Sequence, residues 1–202
     1  MEKFQTLYSG AIPLPLENID TDQIIPARFL KATTREGFGE NLFCDWRRHP
    51  DGTPKPEFVL NDPCYVGQIL LAGKNFGCGS SREHAAWALY DAGFRVVISS
   101  CFADIFRGNA LNNGLLPLQV TEAELSLLFA WVEADADTQF VVNLPEQTLH
   151  VPAHHAAIHF DIDAYKKECL INGYDDIDYL VSQKPAIEAY EQNRPRTWES
   201  KW

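Results

Sequence analysis

The sequence has no C-x-x-C pair, no apolar run near the length of a membrane span, no cationic excess and no internal repeat or low-complexity tract. Each absence removes a class of function. The five cysteines, Cys44, Cys64, Cys78, Cys101 and Cys169, are odd in number and widely spaced, so they suggest neither a disulfide framework nor a self-contained zinc or iron–sulfur site. Most read as reduced core thiols, and no metal is expected in this chain. A membrane span needs roughly 18 consecutive apolar residues. None is present, and the opening Met1-Glu2-Lys3-Phe4-Gln5-Thr6 lacks the basic-then-apolar form of a signal peptide, so the expected location is cytoplasmic with no membrane contact. Lys and Arg number 17 against 28 Asp and Glu, for a net charge of −11. That balance argues against nucleic acid held on a broad basic surface and leaves room for a local basic pocket.

What is present suits one soluble domain over 1–202, since 46% hydrophobic residues are ample for a core at this length. The chain is organised around Gly73–Ala86, which follows the apolar run Tyr65–Ala72 and precedes the helical pattern Trp87–Asp91. It reads as strand, glycine loop and helix start. Gly77 and Gly79 allow a sharp turn and close approach to a ligand. Ser80 and Glu83 fit an S-x-x-E capping box, which predicts a helix from Ser80 or Ser81. The unpaired N–H groups of a first helical turn favour anions. Arg82 adds a cation able to hold a carboxylate or phosphate bidentately. The nucleotide signatures fit badly: the dinucleotide pattern wants a small residue where Arg82 stands, and a P-loop wants Gly-Lys-Ser/Thr. Cys78, between glycines at this helix end, is a candidate for a lowered thiol pKa.

Around this loop the pattern is α/β. Phe4–Ser9 and Ala11–Leu14 read as short strands, and Phe94–Ser99 as a buried strand parallel to the Tyr65–Ala72 strand through a helix ending near Gly93. Phe102–Asn112 reads as a helix and Leu115–Val120 as a strand. Thr121 and Glu124 form a second capping box before a helix to about Ala134. Gln139–Asn143 and Thr148–Val151 read as a hairpin, which predicts a mixed sheet. Residues 31–62, rich in Gly, Pro and charge, read as an irregular, mobile excursion, and 161–202 as a C-terminal extension of two or three short helices. His150, His154, His155 and His159 have tempting spacings, but Pro152 interrupts any helix that would align them for a metal. Asp20-Thr21-Asp22 admits a carboxylate pair for metal or acid–base work, or side chains that tie up turn backbone.

The string Gly79-Ser80-Ser81-Arg82-Glu83-His84-Ala85-Ala86 resembles the active-site loop of the aconitase superfamily's swivelling domain. Asn18-Ile-Asp-Thr-Asp-Gln-Ile-Ile-Pro-Ala-Arg-Phe-Leu30 resembles the N-terminal signature of isopropylmalate dehydratase small subunits. Phe102–Phe106 with Asn113–Pro117, and Phe160-Asp-Ile-Asp163 with Asn172–Ile177, are similar to further parts of that family. The insert near Trp46 and the C-terminal string match its longer, bacterial form, with Tyr174 where Leu is familiar. The resemblance covers most of the chain. It implies a swivelling β/β/α fold, a partner large subunit carrying a [4Fe–4S] cluster, and interconversion of 2- and 3-isopropylmalate by dehydration and rehydration in leucine biosynthesis. A Lewis-acidic iron would ease the departure of hydroxide.

By the same resemblance Ser80 is the base, Ser81 contacts the substrate and Arg82 clamps a carboxylate, with Gly77, Cys78 and Gly79 forming the loop at the helix N-terminus. Capping competes with the base role for Ser80. The apolar Ile24–Leu30 stretch is either core packing or a wall for the substrate's alkyl group, through Phe29 and Leu30. Related dehydratases of methylmalate/citraconate or homoaconitate type are rival functions within the enzyme class. A non-catalytic anion-binding module is the rival outside it. Activity appearing only when a large subunit is added would separate them.

Overall fold

A computed structural model of the chain describes residues 1–31 and 37–193. Part of the expected excursion, 32–36, and the end of the expected helical extension, 194–202, lie outside the described residues.

Strand β1 (Thr6–Ser9) and strand β2 (Ala11–Leu14) are separated by Gly10, where the chain passes from one sheet to another. A Cβ on Gly10 would lie 2.3 Å from the Val66 carbonyl oxygen, so only glycine admits that crossing. β2 continues into an all-parallel sheet with β3 (Ile69–Ala72), β4 (Val96–Ser99) and β5 (Leu116–Gln119), in the order β2-β3-β4-β5. β1 instead joins an antiparallel sheet with β6 (Phe140–Asn143), β7 (Thr148–Val151) and β8 (Ala156–His159), in the order β1-β6-β7-β8. The parallel and antiparallel strands foreseen for one mixed sheet are thus divided between two. The burial patterns explain the division. β3 and β4 are buried at every residue, as strands covered on both faces must be, whereas β6 and β7 alternate.

The parallel sheet is the middle layer. Ile69, Leu71, Val96 and Ile98 face a core shared with the antiparallel sheet and α5 (Glu122–Ala134). Leu70, Ala72 and Val97 face a second core made with α3 (Glu83–Asp91) and α4 (Asp104–Asn112). α5 starts at the foreseen capping box, with the Thr121 N–H donating to Glu124 Oε2 at 2.8 Å and the Glu124 N–H donating to Thr121 Oγ1 at 3.2 Å. At the C-terminal end, α6 (Ala164–Asn172) stops at Gly173, where φ is +73°. It is followed by α7 (Asp176–Ser182) and α8 (Lys184–Asn193).

Residues 37–62 of the excursion are irregular but packed, which corrects the mobile reading for them. After α1 (Thr21–Ile24) and a 3₁₀ turn at Ala27–Phe29, the described residues of the excursion hold α2 (Cys44–Arg47) and 3₁₀ turns at Gly39–Asn41 and Val59–Asn61. Phe38, Leu42 and Phe43 are nevertheless buried in the second core. The Asn61 amide donates to the Arg47 and Lys55 carbonyls at 2.7 and 2.9 Å, so side-chain bonds replace the missing ladder. Glycine, proline and charge dominate this stretch, and three buried apolar residues outweigh them.

Candidate active site

The glycine loop is built at the C-terminal end of β3, where parallel sheets commonly present ligand sites. Gly77 and Gly79 have φ of +77° and +89°, as the close turn requires. At Gly77 a Cβ would meet Phe106 Cγ at 2.2 Å. On its other side the loop is laced to the N-terminal string. The Asn18 N–H donates to the Lys74 carbonyl (2.8 Å), the Gly77 N–H to the Ile19 carbonyl (2.8 Å) and the Thr21 N–H to the Cys78 carbonyl (2.9 Å). Asn75 Nδ2 donates to Asn18 Oδ1 at 2.9 Å. The two stretches, about sixty residues apart in sequence, form one surface.

On that surface the Thr21 hydroxyl donates to the Ser80 carbonyl at 3.0 Å and lies 3.4 Å from Ser80 Oγ. Arg82 Nη1 pairs with Asp22 Oδ1, and the same oxygen accepts the Ala27 N–H at 2.8 Å. The guanidinium holds the Asp22 carboxyl below the ordinary aspartate range, with the Ala27 N–H helping. Asp22 therefore ties the Arg82 cation to the turn that carries Phe29 and Leu30. Both of these are half-buried, Phe29 against the second core and beneath the Arg28 guanidinium, 4.7 Å from its ring centroid. Gly79, Ser80 and Ser81 are exposed, so the face stands open to water.

The expected capping box at Ser80 is absent. α3 begins at Glu83, its N-cap is Arg82, and no side chain caps it. The Glu83 carboxylate is instead engaged by Asn113 Nδ2 at 3.0 Å and Trp87 Nε1 at 3.3 Å, and so does not reach back to the Ser80 N–H. Neither serine caps the helix, so the capping reading of Ser80 falls. The helix end accordingly lies beside Arg82 and not beside Ser80. Asp20 fills the other role weighed for it: its carboxylate caps α1 by accepting the Asp22 and Gln23 N–H groups, both at 2.8 Å.

The cysteines need two corrections. Cys169 alone is buried. Cys78 is not activated either, because burial and the nearby Asp20 charge push its thiol upward while its Sγ lies 3.3 Å from the Asn18 carbonyl. Of the four C-terminal histidines, His150 shares a hydrogen bond with Thr148 (3.1 Å) and His154 stacks on Trp131 with ring centroids 4.3 Å apart. Among the described residues no three His, Cys, Asp or Glu side chains are grouped to hold a metal ion. Spacing singled out Asp20-Thr21-Asp22 but gave no sign that Thr21 would lie against Ser80 or Asp22 against Arg82. Their signal was the resemblance of two separate strings to one family.

Residues 1–123 match the family model described as the aconitase C-terminal domain. A 3-isopropylmalate dehydratase small subunit from Cytophaga hutchinsonii is 65% identical over 192 residues, covering 95% of this chain and 96% of that one. One from Christiangramia forsetii is 59% identical over 194 residues, covering 96% and 95%. Among solved structures, 3-isopropylmalate dehydratase from Methanocaldococcus jannaschii superposes with a TM-score of 0.66 at 25% identity, covering 91% of this chain and 98% of that one.

Proposed function

The chain belongs to the family of 3-isopropylmalate dehydratase small subunits, and from that membership we propose how its residues take part in converting 2-isopropylmalate to 3-isopropylmalate. It is the small-subunit part of an aconitase-type hydro-lyase in leucine biosynthesis. We read the chain as one swivelling domain, cytoplasmic, acting in a heterodimer or larger assembly with the large subunit. A [4Fe–4S] cluster is assigned to that partner, because the scattered thiols of this chain do not fit one.

The proton to be removed sits on a carbon beside a carboxylate, so the reaction needs a strong base and a fixed counter-charge. Ser80 Oγ, as alkoxide, takes that proton. The C–H electrons form the double bond and the hydroxyl leaves with the C–O pair. The hydroxide so released adds to the carbon that lost the proton while Ser80 returns its proton to the other carbon, so atoms and charge balance. Arg82 holds a substrate carboxylate in competition with Asp22, Ser81 donates a hydrogen bond to the substrate, and Phe29 with Leu30 meets the isopropyl group. The face is open, and docking of the large subunit excludes water and strengthens each of these charges.

The observation that carries the reading is the lacing of residues 18–22 to 74–82, which brings Asp22, Ser80 and Arg82 to one surface beside the buried Thr21. The test is reconstitution. The purified chain alone is colourless and inactive, and turnover of 2-isopropylmalate appears on mixing with a cluster-loaded large subunit. Turnover by the isolated chain, or none after mixing, would remove the assignment.

A further inference from the structure

Of the large apolar residues that stand exposed, five fall within α7 and α8: Ile177 (66% exposed), Leu180 (58%), Val181 (65%), Ile187 (46%) and Tyr190 (66%). Ile177, Leu180 and Val181 are spaced i, i+3, i+4, and Ile187 and Tyr190 i, i+3, so each set shares a helix face. Neither helix has a buried residue. α8 makes its main contacts with α7 alone. Helices shorter than about 12–15 residues are marginal in water without tertiary packing. These run 7 and 10 residues, so an apolar face left in water does not account for them.

We propose that the exposed face of α7 and α8 is an anchor for the large subunit, received in an apolar groove with a basic rim. The proposal rests on the small-subunit reading above. In the matched family the domain is the C-terminal part of aconitase, and the match ends at residue 123. A separate subunit lacks that covalent tether and must hold its partner by contact, for which a stable interface uses roughly 20–30 residues a side. α7 and α8 lie in the part of the chain beyond the match. The patch is flanked by Asp175, Asp178 and Glu191, together with Asp176, which pairs with Lys166 at 2.9 Å, and Glu188, 3.7 Å from Lys184. In a two-fold pair of copies this acidic rim would meet itself, on a chain of net charge −11, so a second copy is a poor occupant. Opposite charge on the large subunit completes the fit. The helices enter as paired anchors along one stripe, the usual mode of helix-in-groove binding.

The experiment titrates the large subunit with the full-length chain carrying Ile177→Ser and Leu180→Ser, and separately with Ile187→Ser, reading association by sedimentation and activity against small-subunit concentration. The expected result is about tenfold or weaker association for the double variant, the scale of a truncated anchor, with turnover at saturation within about twofold of the parent. A second pair, Glu188→Lys with Glu191→Lys, should slow association and flatten its salt dependence. Parent-like affinity in the folded apolar variants, shown by unchanged circular dichroism, would overturn the proposal. So would a parent chain that dimerises through this face, losing its dimer in the same variants. Failure of the parent to bind or activate the large subunit would instead defeat the functional reading.

Discussion

The loop from Lys74 to Arg82 and the pair α7–α8 are both exposed, yet they are held in opposite ways. The loop has no regular secondary structure. It is fixed from both sides, by Phe106 under Gly77 and by backbone bonds to residues 18–21. The helical pair satisfies its backbone within itself, down to the capping box of Asp175 and Asp178, and is tied to the domain chiefly at one side of α7, where Asp176 meets Lys166 and Tyr165 and Tyr179 packs edge-on against Tyr165. Regularity and rigidity are therefore separate properties here. Local hydrogen bonds make a helix, and only long-range contacts place one. The candidate surface has the placement without the regularity, as a site that must hold its groups still requires.

The comparison can be broken at several points. The largest expected effect is on chemistry. Ser80→Ala, measured in complex with the large subunit, should lower kcat by about 10²–10⁴-fold with little change in KM. Its thermal unfolding should stay near the parent's, because Ser80 caps no helix. Turnover within about tenfold of the parent would take the base role from Ser80 and pass it to Ser81.

Next comes the loop's anchorage. Gly77→Ala places a Cβ 2.2 Å from Phe106 Cγ at a φ of +77°. It should cost about 2–4 kcal/mol in denaturant unfolding, from overpacking and backbone strain together. A loss under about 1 kcal/mol would mean that the loop can move aside, and the contrast with the tail would narrow.

Arg82→Lys keeps the charge and loses the planar fork, so it should raise KM about tenfold with a smaller fall in kcat. The same pair has a titration signature. Asp22 is held below its ordinary pKa chiefly by Arg82, so its contribution to stability is present above the unfolded aspartate value and is lost as pH falls through the folded one. The carboxylate is mostly exposed, so the effect on unfolding is small, and carboxyl-detected NMR is the better probe. Asp22 should titrate in the acid range below ordinary aspartate in the parent, and move upward in Arg82→Ala.

The smallest effect should come from the tail. Ile187→Ala in the isolated chain should change unfolding by no more than about 0.5 kcal/mol, since its side chain packs no core. A clearly larger loss would show that α8 is fastened to the domain and does not wait for a partner.

Read alone, the sequence determined the local elements. The β3–α3–β4 unit, the capping box at Thr121, the stop at Gly173 and the break near Pro185 each depend on residues within a few positions of one another, where propensity and capping act. It also determined, through two strings similar to one family, which residues to examine. The tertiary structure decided whatever depends on a distant partner. Glu83 turns to Asn113, thirty positions away, and so leaves Ser80 uncapped. Asp22 meets Arg82 across sixty positions. Phe38, Leu42 and Phe43 bury an excursion whose composition reads as loose. Gly10 splits the strands between two sheets because the Val66 carbonyl leaves no space for a side chain. In each case the competing local preference is worth about 1 kcal/mol, and a long-range hydrogen bond, ion pair or buried aromatic outweighs it.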